Sequence, residues 1–201
     1  MRVGVIGDTF DPVHYGHLIL ADQIAEYMKL SKVLFIPSNN PPHKDVSKIA
    51  PVEYRLEMIK LAISGNEVFE LSTIEYEHAG KNYSYETLIR LGHIFEEGTE
   101  FYFIIGSDVL YDLLTFKNFE ELSARCRFAV AIRPGTDMPE LSRAAERLRL
   151  EYGARIHIVP FNEIDLSSTI IRERIFSGKS VRYMLPEDVR RYIETKGLYR
   201  G

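Results

Sequence analysis

The chain has a single cysteine, Cys126, in 201 residues, so no disulfide can form within it. That excludes a small secreted scaffold stapled by disulfides and fits a reducing compartment, with Cys126 as a buried packing thiol. Charge of one sign is not in excess either. Lys and Arg number 25 against 29 Asp and Glu, a formal charge of −4. This balance gives no hint of a nucleic-acid or membrane surface. No apolar run is long enough to span a bilayer. Met1-Arg2 leads straight into an apolar segment, with no cleavage site for a secretory signal. The expectation is a cytoplasmic protein without nucleic-acid or membrane partners. Oligomeric state stays open, a homo-oligomer included.

The common phosphate motifs are also missing. A Walker loop needs Gly-x4-Gly-Lys-Ser/Thr. Gly178-Lys-Ser180 matches its end, but Glu173 stands at the first Gly position and no strong strand precedes it. Gly4 and Gly7 are spaced wrongly for the dinucleotide fingerprint Gly-x-Gly-x-x-Gly. The kinase motif set is absent.

What is present is regular alternation. Apolar segments at 2–7, Val33–Ile36, Val68–Leu71, Phe101–Ile105, Arg127–Ile132 and Ile156–Val159 read as buried strands. The third could continue through Ser72–Glu77. Helical patterns lie between them, at 15–29, from Pro51 to about Ile63, at 85–96 with Ser84 as cap, from Gly106-Ser-Asp108 onward, and at 139–152. Two further helices are expected, one from the Asp165-Leu-Ser-Ser region to Phe176 and one from Pro186 to Lys196-Gly197. Strands alternating with helices imply an α/β, Rossmann-like, doubly wound parallel sheet of five to six strands. We expect a single domain over 1–201, its helical C-terminal part from 165 packing across the sheet edge.

In such a sheet ligands bind beyond the carboxyl ends of the strands. Those ends carry Gly7 to His17, Pro41-Pro-His-Lys44, Asn82-Tyr-Ser84, Gly106-Ser-Asp108 with Thr115-Phe116, and Arg133. The late helix adds Ser167, Ser168, Thr169 and Arg172. The set is rich in phosphate partners: cations, imidazoles, hydroxyls and helix N-termini. His14 and His17 stand three apart at a helix start and would share one face. Phosphate binding is the favoured reading. A metal pair is the rival, and needs further ligands for which only carboxylates such as Asp11 or Asp22 are near. Purely structural histidines are the third reading.

These residues also carry a resemblance. Gly7-Asp-Thr-Phe-Asp-Pro-Val-His-Tyr-Gly-His17 resembles the opening motif of the nucleotidyltransferase superfamily. Ile36-Pro-Ser-Asn-Asn-Pro-Pro-His-Lys44, Tyr83-Ser84, Phe103 to Asp108, Arg133-Pro-Gly135, Leu166 to Arg172 and the segment from Leu185 to Tyr199 follow in order. Together they resemble the bacterial nicotinate-nucleotide adenylyltransferases over nearly the whole chain. The resemblance implies transfer of AMP from ATP to nicotinate mononucleotide, giving deamido-NAD and pyrophosphate, with Mg²⁺ carried on the ATP phosphates rather than by protein side chains. It places Gly7, Thr9, Phe10, His14, His17, Gly106, Asp108, Ser168, Thr169 and Arg172 around ATP. Lys44, Tyr83, Ser84, Phe116 and Arg133 fall on the nicotinate mononucleotide side. His14, His17, Lys44 and Arg172 become the catalytic set. Rivals are adenylyl or cytidylyl transfer to nicotinamide mononucleotide, phosphopantetheine or glycerol phosphate, and a non-catalytic ATP-binding module.

Two positions depart from the family pattern. Asp8 stands where a second Gly is usual, bringing a carboxylate to a phosphate site. Phe116 stands where Trp is frequent, and the chain has no Trp at all. Phe offers less stacking area than Trp and no indole N–H.

Overall fold

The computed structural model describes residues 1–39, 49–77, 82–133, 135–162 and 164–200. Its centre is one sheet of six parallel strands in the order β3-β2-β1-β4-β5-β6. The strands are β1 (Arg2–Asp8), β2 (Lys32–Pro37), β3 (Phe69–Leu71), β4 (Glu100–Gly106), β5 (Cys126–Ala131) and β6 (Arg155–Val159). The helices are α1 (Tyr15–Met28), α2 (Val52–Ile63), α3 (Ser84–Ile94), α4 (Ser107–Asp112), α5 (Phe119–Arg125), α6 (Met138–Tyr152), α7 (Ser168–Phe176) and α8 (Glu187–Lys196). This is the doubly wound α/β class that the alternation predicts.

The apolar runs are strands because both their faces are covered. Successive side chains of a strand point to opposite faces. In β1, Ile6 enters the core under α1, α2, α7 and α8, while Val3 and Val5 enter the core under α3 to α6. In β4, Tyr102 and Ile104 go one way and Phe101, Phe103 and Ile105 the other. Register is thereby fixed: Val5 sits between Leu34 of β2 and Phe103 of β4. A slip of one residue would exchange the two cores.

The strand order reverses between β1 and β4. The connections from β1 through β3 build outward on one side, and the next strand returns to pair with β1 on the other. Helices leave that gap in opposite directions, which opens a crevice at the carboxyl ends of β1 and β4.

Three expectations are revised. Residues 72–77 do not prolong β3. Ser72 N–H donates to Phe35 C=O as a last rung, and Ile74–Tyr76 then forms a 3-10 turn that buries Ile74 in the second core. Tyr83, not Ser84, caps α3, and Ser84 is its first residue. The C-terminal helices do not lie across the sheet edge. Ile171, Val181, Leu185, Val189 and Ile193 join α1 and α2 over the first core, because their apolar stripe fits that face.

Candidate active site

The turn after β1 builds the floor of the crevice. Phe10 adopts φ +50°, a left-handed conformation that bulky residues avoid. Its ring is fully buried against Phe35, and its edge meets His17 at 4.9 Å. Core burial of an aromatic ring offsets that strain. The motif position expected to meet ATP is thus a support beneath His17 rather than a lining residue. Arg55 of α2, 3% exposed, clamps the turn from behind. It donates to the carbonyls of Thr9 (2.8 Å), Ser38 (3.1 Å) and Ala50 (3.1 Å). Asp11 is buried too and accepts from Ala50 N–H at 3.2 Å and Tyr199 O–H at 2.7 Å. Burial and the Asp11 carboxylate push the Tyr199 hydroxyl up, so it stays a donor.

The two histidines form one unit. His14 is the extended residue that caps α1, and its N–H donates to His17 Nδ1 at 3.2 Å. An accepting Nδ1 leaves the proton of a neutral His17 on Nε2. That Nε2 faces Asp8 Oδ2 at 3.0 Å, and the other Asp8 oxygen accepts Thr9 N–H at 2.7 Å. The Asp8 carboxylate therefore turns into the site, onto His17. The imidazoles stack at 3.7 Å. Burial, and next the neighbouring His17, push the His14 pKa down to about 3 against a smaller opposing pull from Asp8. His14 is neutral at pH 7. Its Nδ1 is buried and has no hydrogen-bond partner among the described residues. Gly16 leaves room for this ring, since a Cβ there would lie 2.9 Å from it.

The opposite wall comes from β4 and β5. Gly106 ends β4, and a Cβ on it would run into the Arg133 guanidinium and the Asp108 carboxylate. These two side chains pair at 3.1 Å, both about half exposed. Ser107 Oγ accepts Arg133 N–H at 3.1 Å, fixing the start of the loop after β5.

The third wall is α7. Ser167 caps it, accepting Ile170 N–H at 3.2 Å. Ser168 Oγ donates to Pro12 C=O at 2.8 Å, and Arg172 donates to Asp11 C=O at 2.7 Å and Thr169 Oγ1 at 3.3 Å. The late helix is thus fastened to the first turn.

Together these elements enclose a cavity of about 440 Å³. It brings Thr9, His14, His17, Gly106, Ser168, Thr169 and Arg172 together. Arg133, expected on the acceptor side, lines the same cavity, because its loop leaves β5 directly beside Gly106. Gly7 lies in β1 just below it, and Asp108 sits behind Arg133 rather than on the lining. Tyr83, Ser84 and Phe116 do not line it. Tyr83 caps α3, Phe116 packs against the second core, and Lys117 Nζ lies 4.1 Å above the Tyr83 ring. Lys44 lies outside the described residues. Among those residues no three or more His, Cys, Asp or Glu side chains group to hold a metal ion. Phe161, Ile164 and Leu166 line the cavity without having been singled out as ligands from sequence, and Lys117 lies outside it, over Tyr83. Asp11, offered from sequence only as a carboxylate for the rival metal reading, also lines the cavity.

The chain is similar to proteins of one family. The family model described as cytidylyltransferase-like matches residues 5–174. A Thermoanaerobacter protein named "probable nicotinate-nucleotide adenylyltransferase" is 40% identical over 200 residues, covering 100% of this chain and 95% of its own. A Rubrobacter xylanophilus protein of the same name is 41% identical, covering 100% and 93%. Among solved structures, Plasmodium falciparum nicotinic acid mononucleotide adenylyltransferase complexed with NaAD superposes with a TM-score of 0.81 at 16% identity, over 98% of this chain and 97% of that one. That last likeness speaks to the fold. With the full-length relatives near 40% identity and the family match over most of the sequence, the chain belongs to the nicotinate-nucleotide adenylyltransferases, within the cytidylyltransferase-like family.

Proposed function

We propose that the chain transfers AMP from ATP to nicotinate mononucleotide, giving deamido-NAD and pyrophosphate. The observation that carries this reading is one cavity at the strand-order reversal, where two imidazoles, Arg133, Arg172 and four hydroxyls converge from distant parts of the sequence. Such donors suit a polyphosphate. Thr9, His14 and His17 would hold ATP phosphates from the first turn, and Ser168, Thr169 and Arg172 from α7. Gly106 and Asp108 would take the ribose. The apolar part of the wall, Phe161, Ile164 and Leu166, suits the adenine base. Lys44 would add a cation from the Pro-Pro-His-Lys loop. Arg133 would meet ATP rather than the acceptor.

The reaction is in-line attack by the 5′-phosphate of nicotinate mononucleotide on the α-phosphorus of ATP. That phosphate is an anion at pH 7, so neither a protein nucleophile nor a general base is required. The chain's task is to bring two anions together and offset charge as pyrophosphate leaves. Neutral His14 contributes N–H and lone-pair dipoles rather than charge, and His17 contributes an N–H aimed by its neighbour. A divalent cation such as Mg²⁺ would be held largely by phosphate oxygens and water, and would supply further charge compensation. The acceptor would lie toward Tyr83, Ser84 and Phe116. There backbone N–H groups and Lys117 would receive the nicotinate carboxylate. A cytoplasmic setting fits the lone Cys126, whose burial pushes its thiol up to about 12 and leaves it inert.

The test is pyrophosphate release with ATP, Mg²⁺ and a panel of nicotinate mononucleotide, nicotinamide mononucleotide, phosphopantetheine and glycerol phosphate. The expected result is the highest kcat/KM with nicotinate mononucleotide, and deamido-NAD as product. A higher value with another acceptor would replace the substrate. No turnover with any would leave only a nucleotide-binding module.

A further inference from the structure

We propose that Asp8 is a built-in competitor for the phosphate donors of the cavity, one that weakens polyphosphate binding and hastens departure of pyrophosphate. The inference rests on the reading of this cavity as the triphosphate site. The two Asp8 oxygens occupy two donors at once, Thr9 N–H at 2.7 Å and His17 Nε2 at 3.0 Å. A backbone amide at a strand-to-helix turn and an imidazole N–H are the donors a phosphate oxygen would use. In the free chain a carboxylate therefore stands where a phosphate would.

Asp8 is not what aims His17. The ring is held by His14 N–H on Nδ1, by the stacked His14 imidazole and by the edge contact with Phe10. None of these three contacts involves the Asp8 side chain, so the Nε2–H is expected to keep its aim into the cavity without it. Nor is the carboxylate locked away. Its side chain is 40% exposed, against 12% for His17. A partly solvated carboxylate gives up its contacts at little cost. An incoming polyanion meets the Asp8 carboxylate at short range, on the two donors it occupies.

When ATP binds, its phosphate oxygens displace Asp8 from Thr9 N–H and His17 Nε2–H. When pyrophosphate leaves, Asp8 returns to both donors, so neither is left unsatisfied. The consequence is weaker binding of product and substrate alike, with faster turnover wherever pyrophosphate release is slow.

The experiment is calorimetric titration of the whole protein with inorganic tripolyphosphate, in EDTA to exclude cation bridging, for wild type, Asp8→Asn and Asp8→Ala. It is paired with the inhibition constant for pyrophosphate during turnover. Asp8→Ala is expected to bind tripolyphosphate about tenfold tighter or more, with pyrophosphate inhibition strengthened in parallel. Asp8→Asn, which keeps shape but loses charge, should move in the same direction by less. A merely structural role would weaken binding. Unchanged or weaker binding in both variants, with wild type binding and turning over normally, overturns this inference alone. If Asp8→Ala does not fold, the isosteric Asn variant decides by the same criterion. Wild type that binds neither tripolyphosphate nor ATP overturns the triphosphate reading, and this inference with it.

Discussion

Arg172 donates to the backbone carbonyl of Asp11 at 2.7 Å, across 161 positions of sequence. Ser168 makes a parallel contact to Pro12, and the Asp11 side chain accepts from Tyr199. The late helix is thereby held at a set distance from the first turn. Its cation is aimed by the backbone of the segment that carries the two histidines. A site that must place two anions depends on such fixed geometry.

Arg172→Ala should lower kcat/KM for AMP transfer by about a hundredfold or more, a typical loss when one preorganised charge is removed from a phosphoryl-transfer site. Arg172→Lys should recover only part of this, because an ammonium cannot span Asp11 C=O and Thr169 Oγ1 together. Steady-state pyrophosphate release measures both.

Tyr199→Phe removes one donor to the buried Asp11 carboxylate while conserving shape. Ala50 N–H still reaches that carboxylate, so the loss is one hydrogen bond to a buried charged acceptor, about 1.5–3 kcal/mol. Urea unfolding should show a lowered midpoint with an unchanged slope. An unaltered midpoint would mean that the C-terminal tail contributes nothing through this contact.

The depressed pKa of His14 gives a pH signature. Its folded value, about 3, lies below the ordinary imidazole value of 6.5, so the unfolded chain binds the proton more readily. Its contribution to stability is full above pH 6.5 and is lost progressively as pH falls from there toward 3. His14→Gln should flatten that part of the stability profile by up to one proton's worth, about 1.4 kcal/mol per pH unit. Denaturant midpoints at pH 7.5, 6, 5 and 4 for both proteins would reveal it.

Lys117 stands over Tyr83 with no part in the main cavity. If the nicotinate carboxylate docks there, Lys117→Met should reduce kcat/KM for nicotinate mononucleotide by about tenfold while sparing nicotinamide mononucleotide. Equal losses for both mononucleotides would remove Lys117 from acceptor selection.

Much of this arrangement is legible in the sequence, for physical reasons. Val3 to Ile6 and Phe101 to Ile105 are unbroken apolar runs because both faces of their strands are covered. His14, His17, Ser168 and Arg172 could be nominated because strand ends and helix starts collect phosphate donors. What could not be read depends on tertiary closure. The direction of Asp8 follows from the turn at Phe10, whose left-handed φ no residue preference would suggest. Arg133 meets His17's cavity because β5 ends beside β4 and β4 beside β1, a strand order that local sequence does not specify. The C-terminal helices cover the sheet face because Val181, Leu185, Val189 and Ile193 find a shared core there, a contact that periodicity alone does not assign to a partner.

The most direct measurement of the central claim is formation of deamido-NAD by His17→Ala beside wild type, with thermal melts of both. The variant should melt close to wild type, since His17 borders the cavity. Its kcat should fall by orders of magnitude, with pyrophosphate release falling in parallel. Near-wild-type turnover by a folded His17→Ala protein would contradict the assignment of this cavity as the place where AMP is transferred.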